Sequence, residues 1–151
     1  MARAETLDQA AAALDTLLGL HCLLPEEVDE TLIRGRLSGA GWQIKDHHWL
    51  LPNAQGEPLA SMVIHKAPGK RLLSFTIDVP NSPDPVEALA AIVTVCHSLN
   101  EQYGAPLIDD SGNTLNTAAI EGIYKHLVGR VCDLTDSGFK PGSPVARTLF
   151  S

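Results

Sequence analysis

Between Leu73 and Val79 apolar and polar side chains alternate strictly, with Leu73, Phe75, Ile77 and Val79 set against Ser74, Thr76 and Asp78. A period of two predicts a strand with one buried face and one face turned to water or to a partner. The period then changes. Val86, Leu89, Ala90, Ile92, Val93, Cys96 and Leu99 recur at helical spacing, so a helix should lie on the sheet along that stripe. Its ends follow from local chemistry. Asp84 is an N-cap acceptor, Pro85 takes the first helical position, where no N–H is needed, and Glu87 completes a capping box. Gly104 suits a left-handed C-terminal cap.

The rest of the chain divides in the same way. Residues 1–13 are Ala-rich with polar punctuation and read as a leader, helical or frayed. The apolar run Leu14 to Leu24 supplies a first strand over Thr16 to Leu23. Pro25-Glu26-Glu27 then opens a helix whose acidic first turn suits the helix dipole, with Val28, Leu32, Ile33 and Leu37 as the buried stripe and Gly39 and Gly41 as the stop. Gly35 inside it costs about 1 kcal/mol relative to Ala, which close packing against a neighbour would explain. Trp42 to Leu51 reads as a strand interrupted at Lys45-Asp46, Pro52 to Gly56 as a turn, and Ala60 to Lys66 as a third strand. Ala67-Pro68-Gly69-Lys70 turns the chain back into Leu72 to Val79. Beyond Gly104 come a short strand at Pro106 to Asp109 and a turn at Asp110 to Asn113. A helix capped by Asn116 then runs to about Val131, with Ile120, Ile123, Tyr124 and Leu127 inward. Residues 133–151 carry no period and read as a loose tail behind a domain spanning residues 14–132.

Consecutive strands joined by short turns favour antiparallel pairing, and helices entering between them must cover one face. The expected fold is an α+β two-layer sandwich, a mostly antiparallel sheet of about five or six strands with about three helices on one face and the other face uncovered.

Charge and cysteine usage narrow the function classes. At a net charge of -7, with 11 basic residues scattered along the chain, no clustered Lys/Arg surface exists to hold nucleic acid phosphates. Cys22, Cys96 and Cys132 stand far apart and form no C-x-x-C pair, which suits a reduced cytoplasmic compartment. No apolar run approaches the roughly 20 residues that span a bilayer, and Asp8, Gln9 and Asp15 exclude a secretory h-region.

No catalytic constellation stands out. Cys22 on a first strand reads as core, and Asp109-Asp110 as turn chemistry rather than paired carboxylates. Gly39-Ala40-Gly41 ends a helix, the wrong context for a phosphate cradle. His97 and His126 fall on helices as polar edges, and His47-His48, as strand neighbours, point to opposite faces. His21, His47 and His65 form a rival candidate. If they share one sheet face they define a metal site, most plausibly for zinc, with a fourth position open to water.

The order of elements, the segment Leu-Ser-Phe-Thr-Ile-Asp-Val-Pro (Leu73 to Pro80), the run Gly104 to Thr117 with its following helix, and the Gly-Ala-Gly-Trp exit at Gly39 to Trp42 together resemble the C-terminal domain of ZipA. The likeness spans roughly Leu14 to Val131. It implies a non-enzymatic cell-division module without cofactors, whose open sheet face holds the C-terminal tail peptide of FtsZ as a helix in a shallow apolar groove. It also implies a cytoplasmic domain, tethered in the family by an N-terminal membrane helix and a long Pro/Gln-rich linker that this sequence lacks. Carried over by position, the groove comprises Leu17, His47, Trp49, Val63, His65 and Thr76. Among these, Trp49 is expected to be an exposed indole anchor beside Val63 and Leu17. The alternative is a soluble small-ligand or metal-binding module using the same histidine-rich face.

Overall fold

A computed structural model describes residues 17–46, 48–138 and 141. The leader expected over residues 1–13, His47, and all of the expected tail beyond Gly138 except Pro141 lie outside the described residues. In chain order the elements are β1 (Leu17–Pro25), α1 (Glu30–Gly39), β2 (Gln43–Lys45), β3 (His48–Pro52), β4 (Pro58–Ala67), β5 (Lys70–Asp78), α2 (Pro85–Tyr103), β6 (Leu107–Ile108) and α3 (Thr117–Asp136). The strands form one sheet of six in the order β2-β3-β4-β5-β1-β6, and every neighbouring pair is antiparallel. The chain is an α+β sandwich of the kind its periodicities imply.

Alternation decides which side of the sheet is dry. Leu20, Cys22 and Leu24 of β1, Trp49 and Leu51 of β3, Met62 of β4, and Leu73, Phe75 and Ile77 of β5 are buried on one face. There they join Ile33 and Leu37 of α1, Leu89, Ile92 and Leu99 of α2, and Leu127 and Leu134 of α3 in one core. Trp42, just past α1, meets Phe75 edge to face at 5.4 Å between ring centres.

The helix caps fall where local chemistry demands them. Asp84 accepts the Glu87 N–H at 3.1 Å with Pro85 opening α2, and Gly104 ends it in the left-handed region at φ 67°. Asn116 accepts the Ala119 N–H at 2.8 Å to start α3.

Three departures from the sequence reading have local causes. Pro25 remains in β1, and the Glu26 carboxylate accepts the Gly69 N–H at 3.0 Å, tying down the β4–β5 turn. α1 therefore begins at Glu30 behind an Asp29 cap, and Leu32 faces out, 53% exposed. A β-carbon at Gly35 would meet nothing, so close packing does not explain that glycine. The helix expected to end near Val131 continues to Asp136 because Leu134 is a core residue, which removes the first residues of the expected tail from it.

Candidate functional site

The face opposite the helices can be read off the strand register. One row across it is Leu23, Leu72 and His65, and the next is His21, Ser74 and Val63. A third row is Gly19, Thr76, Ser61, Leu50 and Gln43, and Leu17 stands opposite Asp78 at one margin. The middle of the face is thus a floor of small side chains, Ser61, Ser74 and Thr76, and the Asp110 carboxylate lies over Gly19 beside it. Leu17 (60% exposed) and Val63 (39%) stand open around it. Near one end Leu50, Ser61, Thr76 and Asp78 line a shallow depression of about 230 Å³.

Four of the six residues assigned to the groove, Leu17, Val63, His65 and Thr76, occupy this face, and His47 lies outside the described residues. Trp49 does not share it. It pairs with Met62, which pairs with Phe75, and all three belong to the core, Trp49 being only 4% exposed. The cause is a reversal at Asp46, a non-glycine residue at φ 57°, which makes β2 and β3 a hairpin rather than one interrupted strand. The hairpin sets His48 and Leu50 outward and Trp49 inward. A one-residue change of phase moves every side chain of a strand to the other face.

His21 and His65 are not brought together as metal ligands. His65 lies opposite Leu72, and β5 separates it from His21 on β1. Among the described residues no group of three His, Cys, Asp or Glu side chains is placed to hold a metal ion. His21 instead bridges two polar partners, with Nδ1 2.8 Å from Ser74 Oγ and Nε2 2.5 Å from Asp110 Oδ1. Sequence reasoning missed this array because its members are 53 and 89 residues away from His21, and no spacing signals it. Ser74 sits inside β5 and pairs with Val63 of β4 and His21 of β1. The array works as a clamp between β5, β1 and the turn after β6.

That turn is built by Asp109, as its sequence suggested. The carboxylate accepts the N–H groups of Ser111 and Asn113, both at 2.9 Å. The Asn113 N–H foremost, helped by the Asn113 side chain and the Ser111 and Gly112 N–H groups, holds the Asp109 carboxyl below its ordinary range. The cysteines are free: Cys22 and Cys96 are buried and Cys132 is exposed. A hydrogen bond with the Cys22 thiol, and then burial, push the Cys96 thiol well above its ordinary value.

Fold and face together define an α+β domain with helices on one side of its sheet and a mixed apolar and polar surface on the other. Among the described residues no helix is long and apolar enough to cross a membrane. No protein-family model matches the chain, and no curated protein matches it.

Proposed function

We propose that the chain is a non-enzymatic interaction domain of the ZipA kind, working in the cytoplasm, that holds a partner peptide against the open face of its sheet, with the C-terminal tail of FtsZ as that partner. The observation that carries this reading is the composition of the face. Its floor of Ser61, Ser74 and Thr76 lets a helix approach closely, while Leu17 and Val63 stand exposed beside it. Each apolar side chain fully covered by a partner contributes roughly 1.5–3 kcal/mol. Covering a hydroxyl without a partner costs about 1–3 kcal/mol, and Ser74 avoids that cost because His21 already holds its Oγ. Free cysteines accord with a reducing compartment. The metal alternative has less support, since His21 is occupied by Ser74 and Asp110 and His65 stands across β5 from it.

The test is a fluorescence anisotropy titration of a labelled FtsZ tail peptide against the wild type, Val63→Asp and Thr76→Arg. Saturable binding that both variants weaken about tenfold or more, equivalent to about 1.4 kcal/mol, supports the reading. Binding that neither variant changes moves the site off this face, and no binding at millimolar peptide rejects FtsZ as the partner.

A further inference from the structure

Among the described residues the outer side of β1 is only partly paired. His21 and Cys22 face Ile108 and Leu107 of β6, and Leu17 to Leu20 run on beyond the register with no described strand beside them. The Leu23 N–H donates to the Pro106 carbonyl across this side at 3.2 Å. Backbone groups of alternate residues in a strand point the same way. Leu17 and Gly19 therefore turn their N–H and C=O groups to the open edge, while Leu18 and Leu20 pair theirs with β5.

This edge borders a groove rather than flat surface. Between β1 and α3 lies a space of about 590 Å³, bounded by Leu18 and Leu20 on one side, by Leu115, Ile123 and Leu127 on the other, and by the turn at Asp110. Binding pockets typically enclose roughly 300–1,000 Å³.

We propose that this edge is a second peptide site, where an extended segment of a partner protein, alternately apolar and polar, adds to the sheet as a strand along Leu17 to Leu20. Three observations specify that occupant. Backbone donors and acceptors repeating every second residue match an extended chain and no other backbone. Side chains of such a strand that point to the helix layer meet Leu18, Leu20, Ile123 and Leu127, so they must be apolar. Those on the other side emerge beside Asp110, so they must be small or polar. The added strand continues the row that β6 begins on the same edge. The site shares Leu17 with the open face but engages its backbone at the sheet edge rather than its side chain, so it does not depend on what that face binds.

The probe is the capped hexapeptide Thr-Val-Thr-Val-Thr-Val, added to the full chain and read by residue-resolved amide hydrogen exchange. Exchange at Leu17 and Gly19 should slow about tenfold or more, while Leu18 and Leu20, already paired with β5, stay unchanged. The same peptide with proline at its inner valine positions should have no effect, because proline has no N–H to give the ladder. Ile123→Asp should abolish the protection. The proposal is overturned if protection appears elsewhere in the chain and not at Leu17 and Gly19, if Ile123→Asp leaves it intact, or if no peptide protects the edge. It is equally overturned if Leu17 and Gly19 exchange as slowly as Leu18 and Leu20 without peptide, because the edge is then paired from within the chain.

Discussion

The Asp110 carboxylate stands directly over Gly19, its Oδ1 2.5 Å from the place a β-carbon on that glycine would take. The same oxygen lies 2.5 Å from His21 Nε2, so the carboxylate is held in place and cannot swing aside without breaking that contact. Gly19→Ala should therefore displace the Asp110 side chain and destabilise the fold by about 1 kcal/mol or less, the range of an exposed ion pair. In an Asp110→Ala background the sign should reverse. With the obstacle gone, replacing glycine restricts the unfolded chain and stabilises by about 0.4–1 kcal/mol. A double-mutant cycle by urea denaturation measures the coupling, and additive effects would show that the two groups do not interfere.

Trp49 and Val63 should separate stability from binding. Trp49 is core, so Trp49→Ala should cost about 3–5 kcal/mol. Val63 stands on the open face, where Val63→Asp should change stability by no more than about 0.5 kcal/mol. Urea denaturation of both variants decides this. A Trp49→Ala protein as stable as wild type would mean the indole is not buried as described.

Much of this architecture was legible in the chain because the signals were local. The alternation from Leu73 to Val79, the Asp84-Pro85 start and the Gly104 stop each arise within a few residues, and the structure uses each of them. The inward turn of Trp49 was hidden because His47-His48-Trp49-Leu50-Leu51 has no alternation of its own, and its phase depends on the hairpin at Asp46. Pro25-Glu26-Glu27 carries the composition of a helix start but binds the β4–β5 turn, a contact 43 residues away. The His21 clamp and the groove beside β1 bring together residues from opposite ends of the fold, so only the topology reveals them.

Acid should loosen the turn after β6. The Asp109 carboxyl has a folded pKa below its ordinary value, so its contribution is fully present above the ordinary carboxylate range and is lost as pH falls through the folded value. Asp109→Ala lacks the acceptor at every pH. Wild type and variant should therefore differ near neutral pH and converge under acid, as measured by urea denaturation across that range. Carbon-detected NMR titration of Asp109 should show a midpoint below that of an unperturbed aspartate, and a midpoint at or above it would contradict the hydrogen-bonded turn.

Thiol chemistry offers a check on the core itself. Cys132 is exposed, whereas Cys22 and Cys96 are buried against each other on the helix side of β1. A disulfide reagent needs a thiolate it can reach, so the native protein should show one fast-reacting thiol, removed by Cys132→Ser, and two that react only as the protein opens. Alkaline pH should not rescue Cys96 by ionisation alone, because the hydrogen bond with Cys22 and burial hold the Cys96 thiol in its neutral form. The linkage has a definite sign. A folded pKa raised above the unfolded one contributes no penalty below the ordinary thiol range. As pH rises through it, the unfolded chain gains a thiolate that the folded chain resists, and stability falls. Cys96 should accordingly react faster at high pH only in step with global unfolding, measured in parallel by circular dichroism. A second fast thiol in the fully folded protein would place Cys22 or Cys96 at the surface and remove the packing of β1 against α2 described above.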